Sequence, residues 1–432
     1  MRTGAHELHP SIFTGVQKTL RTRTAPLQGG RFPYELNRMT TFTSPMAAPT
    51  YARGRLTVGI TGVGTVVVLS ILTLIIDVPT RLFGGQGGTF LKDVPLFALW
   101  LGGVSLVSLP FEWLGGLAVP AAHRRAHPNA DQWVSSWLRG TLLLLSIGSL
   151  CGAAIALGGR SGGFVGAIGV AGLTALALLA IQGPLALLIG GLQTVRLPQN
   201  ALTDALSQLG LERLPLQFVD AKDEGFTGSI VGLPTAETHV LPASWLADFT
   251  PQALASIIAR RAAAVDFGLR ARGLMLAFGW FATTFAIASQ MPGAGVDSVA
   301  ALCSTSLWFT LLTFIGLLVL PTPSRRATLA ADAHLIQKHP EVAGTWAETL
   351  RALDRRQDDE PRRTEGIERI FHPVPNVKAR IAAVGRTAAT AAPWHAARTA
   401  LFLGIIGLCP LHRVVHCNAG RPELWILLPA DG

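Results

Sequence analysis

TVGITGVGTVVVLSILTLII, residues 57–76, runs for 20 positions without a charged side chain. A helix rises about 1.5 Å per residue, so such a run covers the roughly 30 Å hydrocarbon core of a bilayer. Five more stretches are nearly as apolar: residues 94–119, 141–157, 164–191, 273–291 and 300–320. The fourth run opens within GGFVGAIGVAG, whose small residues let helices approach closely. The pattern predicts six transmembrane helices and a predominantly α fold, a polytopic helical membrane protein. Composition agrees. The chain of 432 residues has a mean hydropathy of +0.41 and 14% charged residues, where a soluble domain carries about 25%.

The runs divide the chain. Residues 1–56 form a basic tail rich in Thr, Pro and Gly, without the apolar core of a signal peptide, and expected to be disordered. Four spans occupy 57–191, a polar region 192–272, two spans 273–320 and a second polar region 321–399. The last part, 400–432, begins with an apolar stretch at 400–411 that is too short to span, so it is re-entrant or part of a packed helix.

Lys and Arg set the expected orientation. The tail holds eight of them, the loop after the second span holds Arg124, Arg125 and Arg139, and the two polar regions hold many more. Alternate loops hold Arg81 and Lys92, then Arg160, then none. Positive loops face the cytoplasm. The N-terminus and both polar regions are therefore expected there, in a bacterial-type inner or plasma membrane. This bias also accounts for the net charge of +10 and the pI near 10.3. No RNA-binding or helix-turn-helix pattern points to nucleic acid; the expected partner is the lipid bilayer. Of the four cysteines two lie inside apolar runs, which excludes a disulfide framework and fits a reducing compartment.

The polar regions flank one helical hairpin and are expected to fold together into a small α+β domain. NALTDALSQL from Asn200 reads as a short helix. PLQFVD, FTGSIV and THVL, starting at Pro215, Phe226 and Thr238, read as short strands. Thr250 suits a helix N-cap and Pro251 the first helical position. The charged run from Asp354 to Arg363 reads as a solvated loop.

Three segments, in this order around the hairpin, resemble the membrane metallopeptidases of the HtpX heat-shock protease and CAAX prenyl protease type. They are VLPASWLADFTPQALASIIARRAAAVDFG (240–268), SRRATLAAD (324–332) and HPVPNVKARI (372–381). The third is two residues longer than the usual His-Pro segment ending in Arg-Ile. The resemblance covers roughly 214–384 with the flanking spans. It implies a zincin-like cytoplasmic domain and an extended peptide held beside a strand edge.

The resemblance also implies a metal site, and there the sequence departs from it. A zincin needs two His at i and i+4 on one helix face, a Glu between them to take a proton from metal-bound water, and here a third Glu ligand. The matching positions are Arg260, Arg261, Ala264 and Thr328. Arginine keeps its proton and offers no lone pair, and alanine offers no ligand atom. Arg325, Asp332 and His372 match the family but do not bind its metal. The reading is a catalytically inactive homologue without a cofactor, with Arg260 and Arg261, together with Arg325, Asp332 and His372, lining a cleft for a peptide or membrane-protein segment. In such a cleft the two arginines favour an acidic partner; the plainer alternative is that they pair with Asp266, Asp332 or other acids of the chain. Strand addition depends on main-chain hydrogen bonds and not on zinc.

Two alternatives stand beside it. One is an active zinc endopeptidase with displaced ligands, for which Cys409, His412, His416 and Cys417 are the metal-like cluster; His412 and His416 share a face if the segment is helical. HRRAH (123–127) has the i, i+4 spacing but lies between Pro120 and Pro128 and reads as a basic loop. The other is a membrane protein unrelated to peptidases, such as a transporter subunit. Glu112 lies in an apolar run beside Trp113 and reads as interfacial or packed. GGQGG (84–88) reads as a flexible turn.

Overall fold

The structure of the chain is a computed structural model that describes residues 50–196, 201–360, 363–385 and 392–427. Residues 1–49 of the tail, Asn200, and Pro361 and Arg362 of the charged run lie outside the described residues.

Thr50 caps α1 (Tyr51–Ile75), its hydroxyl accepting from the Arg53 amide at 3.3 Å. The short α2 (Val78–Phe83) turns the chain into α3 (Phe90–Trp113). A π-helical turn (Leu114–Ala118) and α4 (Val119–Ala122) extend that span. Then comes α5 (Ala130–Ala180), 51 residues long, which leaves helical geometry at Gly163 with φ 59 and ψ −151. The chain doubles back there. A Cβ on Gly166 would lie 2.3 Å from the Gly158 carbonyl oxygen, whereas eight residues of continuous helix separate by about 12 Å. So α5 is a hairpin of two arms, 130–162 and 164–180, and α6 (Gln182–Gly190) prolongs the second arm.

Five helices among the described residues are long and apolar enough to cross a membrane: α1, α3 with its extension, α5, α10 (Leu269–Ala288) and α11 (Val299–Val319). Because α5 is folded in two, they make six apolar crossings. Arg160 gathers three turns at one end. It binds Asp93 at 2.7 Å at the start of α3, and the Asp297 carbonyl at 3.3 Å in the loop between α10 and α11.

The polar elements lie at the other end. β1 (Gln193–Val195), β2 (Leu216–Asp220), β3 (Ser229–Val231) and β4 (Thr238–Pro242) form one sheet in the order β1-β2-β4-β3, with β2 and β4 parallel and the other pairs antiparallel. α7 (Ala201–Gln208) precedes β2, and α8 (Trp245–Asp248) follows β4. The next helix, α9 (Pro251–Asp266), is capped by Thr250, whose hydroxyl accepts from Ala253 N. After α11 come α12 (Pro321–Lys338), α13 (Ala343–Gln357), α14 (Glu365–Phe371) and α15 (Val377–Ala383).

Residues 392–427 run through the middle of the bundle. They form α16 (Ala396–Leu403), all eight residues buried, α17 (Leu411–Val414) and coil. The segment reaches every span. His416 and Val414 approach Gly59 and Gly62 of α1, and Phe309 of α11 meets Gly407. The Trp394 amide donates to Leu269 O at the start of α10, and Gln182 of α6 donates to Ile426 O at 3.0 Å. Arg413 binds Glu112 of α3 through Nε and Nη2 at 2.7 and 2.9 Å, and Thr141 of the first α5 arm at 2.9 Å. The apolar stretch at 400–411 is thus interior packing and not a span of its own. Glu112 is buried as the counter-ion of Arg413, with the Trp137 indole donating to it.

Candidate functional site

α9 is buried through the 11 consecutive residues from Leu254 to Ala264, so nothing on it faces water over three turns. Two of these residues are arginines, and a buried guanidinium needs acceptors around it. Arg260 finds a carboxylate on α12: its Nε lies 2.5 Å from Asp332 Oδ1. Asp332 also accepts a fork from Arg380 of α15, Nε to Oδ2 and Nη2 to Oδ1, both at 2.8 Å. All three side chains are at most 4% exposed. Burial raises the Asp332 carboxyl, but the charges and hydrogen bonds of Arg380 and Arg260 outweigh it and hold the group below its ordinary value.

Arg261 turns to the sheet. It donates to Val240 O of β4 at 2.9 Å and to Thr227 O just before β3, and its guanidinium stands 5.5 Å from the Trp245 ring. The pairing of Arg260 to α12 and of Arg261 to two carbonyls fastens α9 to both of its neighbours.

The remaining matched positions lie on facing surfaces of α9 and α12. Thr328 sits one turn before Asp332, wholly buried, with its hydroxyl donating back to Ser324 O at 3.2 Å. Ala264 packs with Ala327, Ala331, Ile230, Ala392 and Trp394. Across Arg260, Arg261, Ala264 and Thr328 the only atom with metal-donor chemistry is a threonine hydroxyl, engaged with its own helix.

Arg325 and His372 lie apart from this network. Arg325 pairs with Glu368 of α14 at 2.7 Å, and Asn376 donates to the other oxygen of the same carboxylate. His372 lies in a polar cavity that Arg380 also lines, its ring 5.1 Å from that of His416. Burial, and then the positive charge of His416, Arg363, Arg398 and Arg325, holds His372 well below the usual imidazole range. The five residues expected to line one cleft are therefore divided among four sets of contacts.

The histidine pairs do not share helix faces. α17 ends at Val414 and Val415 is extended, so His412 and His416 diverge. His412 Nδ1 meets Cys409 O at 2.9 Å, while His416 lies beside His372. Between His123 and His127 helix α4 has already ended, and Arg124 is left-handed with φ 54. Among the described residues no three His, Cys, Asp or Glu side chains converge as a metal would need.

Sequence reasoning passed over Arg380, Glu368 and Trp394. Arg380 stood inside the His-Pro segment as a matched arginine; only the fold shows that it shares Asp332 with Arg260. Nothing in the order of residues brings Trp394 to Ala264.

A solved structure with a similar fold is the crystal structure of Ste24p from S. mikatae. It matches with a TM-score of 0.58 and 14% sequence identity, over 68% of this chain and 75% of that one. No family model and no curated protein matches the sequence. The fold is a Ste24p-like membrane fold: mostly helical, with several apolar helices and one small sheet.

Proposed function

We propose that this chain keeps the scaffold of a membrane zinc metallopeptidase of the HtpX and CAAX prenyl protease type without its catalysis, and that it binds a peptide or membrane-protein segment rather than cutting it. Ste24p belongs to the CAAX prenyl protease and zinc metallopeptidase group, which supports the scaffold. The observation that carries the inactive reading is the Arg260–Asp332–Arg380 network on facing surfaces of α9 and α12. Zinc does not fit there: two buried cations occupy the place, and the carboxylate beside them is taken up by both. At the position the resemblance gives to the general base stands Arg261, which accepts no proton.

The binding role rests on β3, which ends the sheet with β4 as its one partner among the described residues. Its Ile230 shares a buried apolar cluster with Ala392 and Trp394. On this reading both polar regions and the N-terminus are cytoplasmic, in a bacterial-type inner membrane.

Elemental analysis of the purified full chain tests the first half. The expected result is substoichiometric zinc and no chelator-sensitive cleavage of unfolded substrates. One zinc per chain, lost on His412→Ala with His416→Ala, overturns it. For the second half, labelled acidic peptides are titrated and then weighed by mass spectrometry. Saturable binding of intact peptide is expected; cleavage, or no binding, refutes it.

A further inference from the structure

Arg421, near the end of the interior segment 392–427, meets the sheet through two acids. Its Nε contacts the carboxylate of Asp223, in the loop between β2 and β3. The same nitrogen lies 3.9 Å from Glu423, in the 3-10 turn Pro422–Leu424. Two carboxylates thus converge on one nitrogen of one guanidinium. None of the three side chains is more than 20% exposed. All three line a polar cavity of about 300 Å³. Behind the turn, α6 presses close: a Cβ on Gly190 would stand 2.9 Å from Glu423 Cα, and α6 itself carries no charge.

The other charged groups on this cavity relieve the crowding only in part. Arg55 of α1 donates to Gly115 O and His416 O, and its charge favours an ionised Glu423, though less than Arg421 does. Arg139 of α5 donates to Ser136 and to Gly190 O. The Tyr51 ring lies against the guanidinium groups of Arg55 and Arg125. Asp220, Lys222 and His127 are exposed. Like charges drawn to one shared cation disfavour ionisation of both. Burial, and then the Asp223 carboxylate, pushes the Glu423 carboxyl up to about 7 against the pull of Arg421 and Arg55.

We propose that Asp223 and Glu423 form a carboxyl pair that holds one proton, and that this proton decides how firmly Arg421 ties the interior segment to the sheet. With the proton on Glu423, Arg421 serves Asp223 alone. Asp223 is then fixed, and its Oδ1 accepts from Gly225 N at 2.8 Å. When the proton leaves through the cavity, Glu423 competes for the same nitrogen and repels Asp223, and the β2–β3 loop loosens. The sign follows from the raised carboxyl. The tie is full below the ordinary value of 4.5 and weakens as pH rises from there through about 7.

The test uses the purified full chain in detergent, with two readouts. Infrared difference spectra against pH read the proton. A protonated-carboxyl band that vanishes with a midpoint near neutrality is expected. It is absent in Glu423→Gln and moves to lower pH in Asp223→Asn, where a neutral amide no longer repels Glu423. Amide hydrogen exchange reads the loop, since Gly225 N is held by Asp223. Corrected for intrinsic rates, exchange at Gly225 is expected to be about tenfold faster at about pH 8 than at about pH 6, the factor that one unit of coupling produces. In Glu423→Gln the corrected rate is flat. His127→Gln, the control for the exposed histidine on the same cavity, keeps both responses. A band that persists in Glu423→Gln, a midpoint unmoved in Asp223→Asn, or the same Gly225 profile in the parent and Glu423→Gln overturns the proposal.

Discussion

Asp332 holds two guanidinium groups where water does not reach, 2.5 Å from Arg260 and 2.8 Å from Arg380. Such a buried network adds little net stability over a well-packed apolar one, but removing its single anion strands both cations. Asp332→Asn is expected to destabilise the folded chain by about 3–5 kcal/mol, measured as a lower thermal midpoint in detergent. The sign with pH follows from the lowered carboxyl. Its contribution is present above the unfolded value of 3.8 and is lost as pH falls below that through the still lower folded value. Asp332→Asn should therefore converge with the parent as pH drops below the ordinary carboxylate range. A parallel profile for the two proteins would show that the network does not carry the charge assigned to it. At this scale the sequence was legible where it broke a pattern. An arginine, an alanine and a threonine at the positions the resemblance assigns to metal ligands, and an arginine where it places the general base, are visible without any structure. Asp332 was among the acids the sequence offered as partners for these arginines, and it does pair with Arg260; the share of Arg380, 48 residues from Asp332, was not visible. Local spacing carries no information about that meeting.

Elements were legible where their signals are local. The Thr250 cap with Pro251 starts α9, and the strands expected from 215–241 appear as β2, β3 and β4. The division between the third and fourth spans was placed between 157 and 164 because Arg160 and neighbouring glycines interrupt the apolar run, and Gly163 turns the chain there. What hydropathy did not reveal is how tight that turn is. Gly163 has φ 59 and ψ −151, a region that side chains with a Cβ enter only with strain. Gly162, one residue earlier, has open space around a built Cβ. Gly163→Val should cost about 1–3 kcal/mol, while Gly162→Ala should be neutral or slightly stabilising, since alanine favours a helix end over glycine. Thermal midpoints of the two variants decide it. Equal effects would mean that the arms of α5 do not pivot on residue 163.

At the scale of the whole molecule, the spans form a ring and the chain's own residues 392–427 fill it. This was the least legible feature. A stretch of twelve apolar residues could only be read as too short to cross; that it is the interior depends on contacts with six spans scattered over the sequence. The arrangement also explains why α16 has no side facing water: all eight of its residues, Arg398 and Thr399 among them, are buried. Phe402 and Trp425 are each 1% exposed, and deleting a buried aromatic side chain costs about 3–5 kcal/mol. Those two alone approach the total of about 5–15 kcal/mol that holds an ordinary domain together. A chain stopped after residue 395 would lose them along with the Arg413–Glu112 pair, and Glu112 would be left as an unpaired charge inside the bundle. Insertion of the spans depends on their own hydropathy and not on what fills the ring. The truncated protein is therefore expected in the membrane fraction at normal yield, yet sensitive to protease and without a cooperative thermal transition once solubilised. Adding Glu112→Leu to the truncation should restore part of the protease resistance, because it removes the stranded charge while leaving the cavity. A truncated chain that melts like the full one would show that residues 396–427 line the bundle without supporting it.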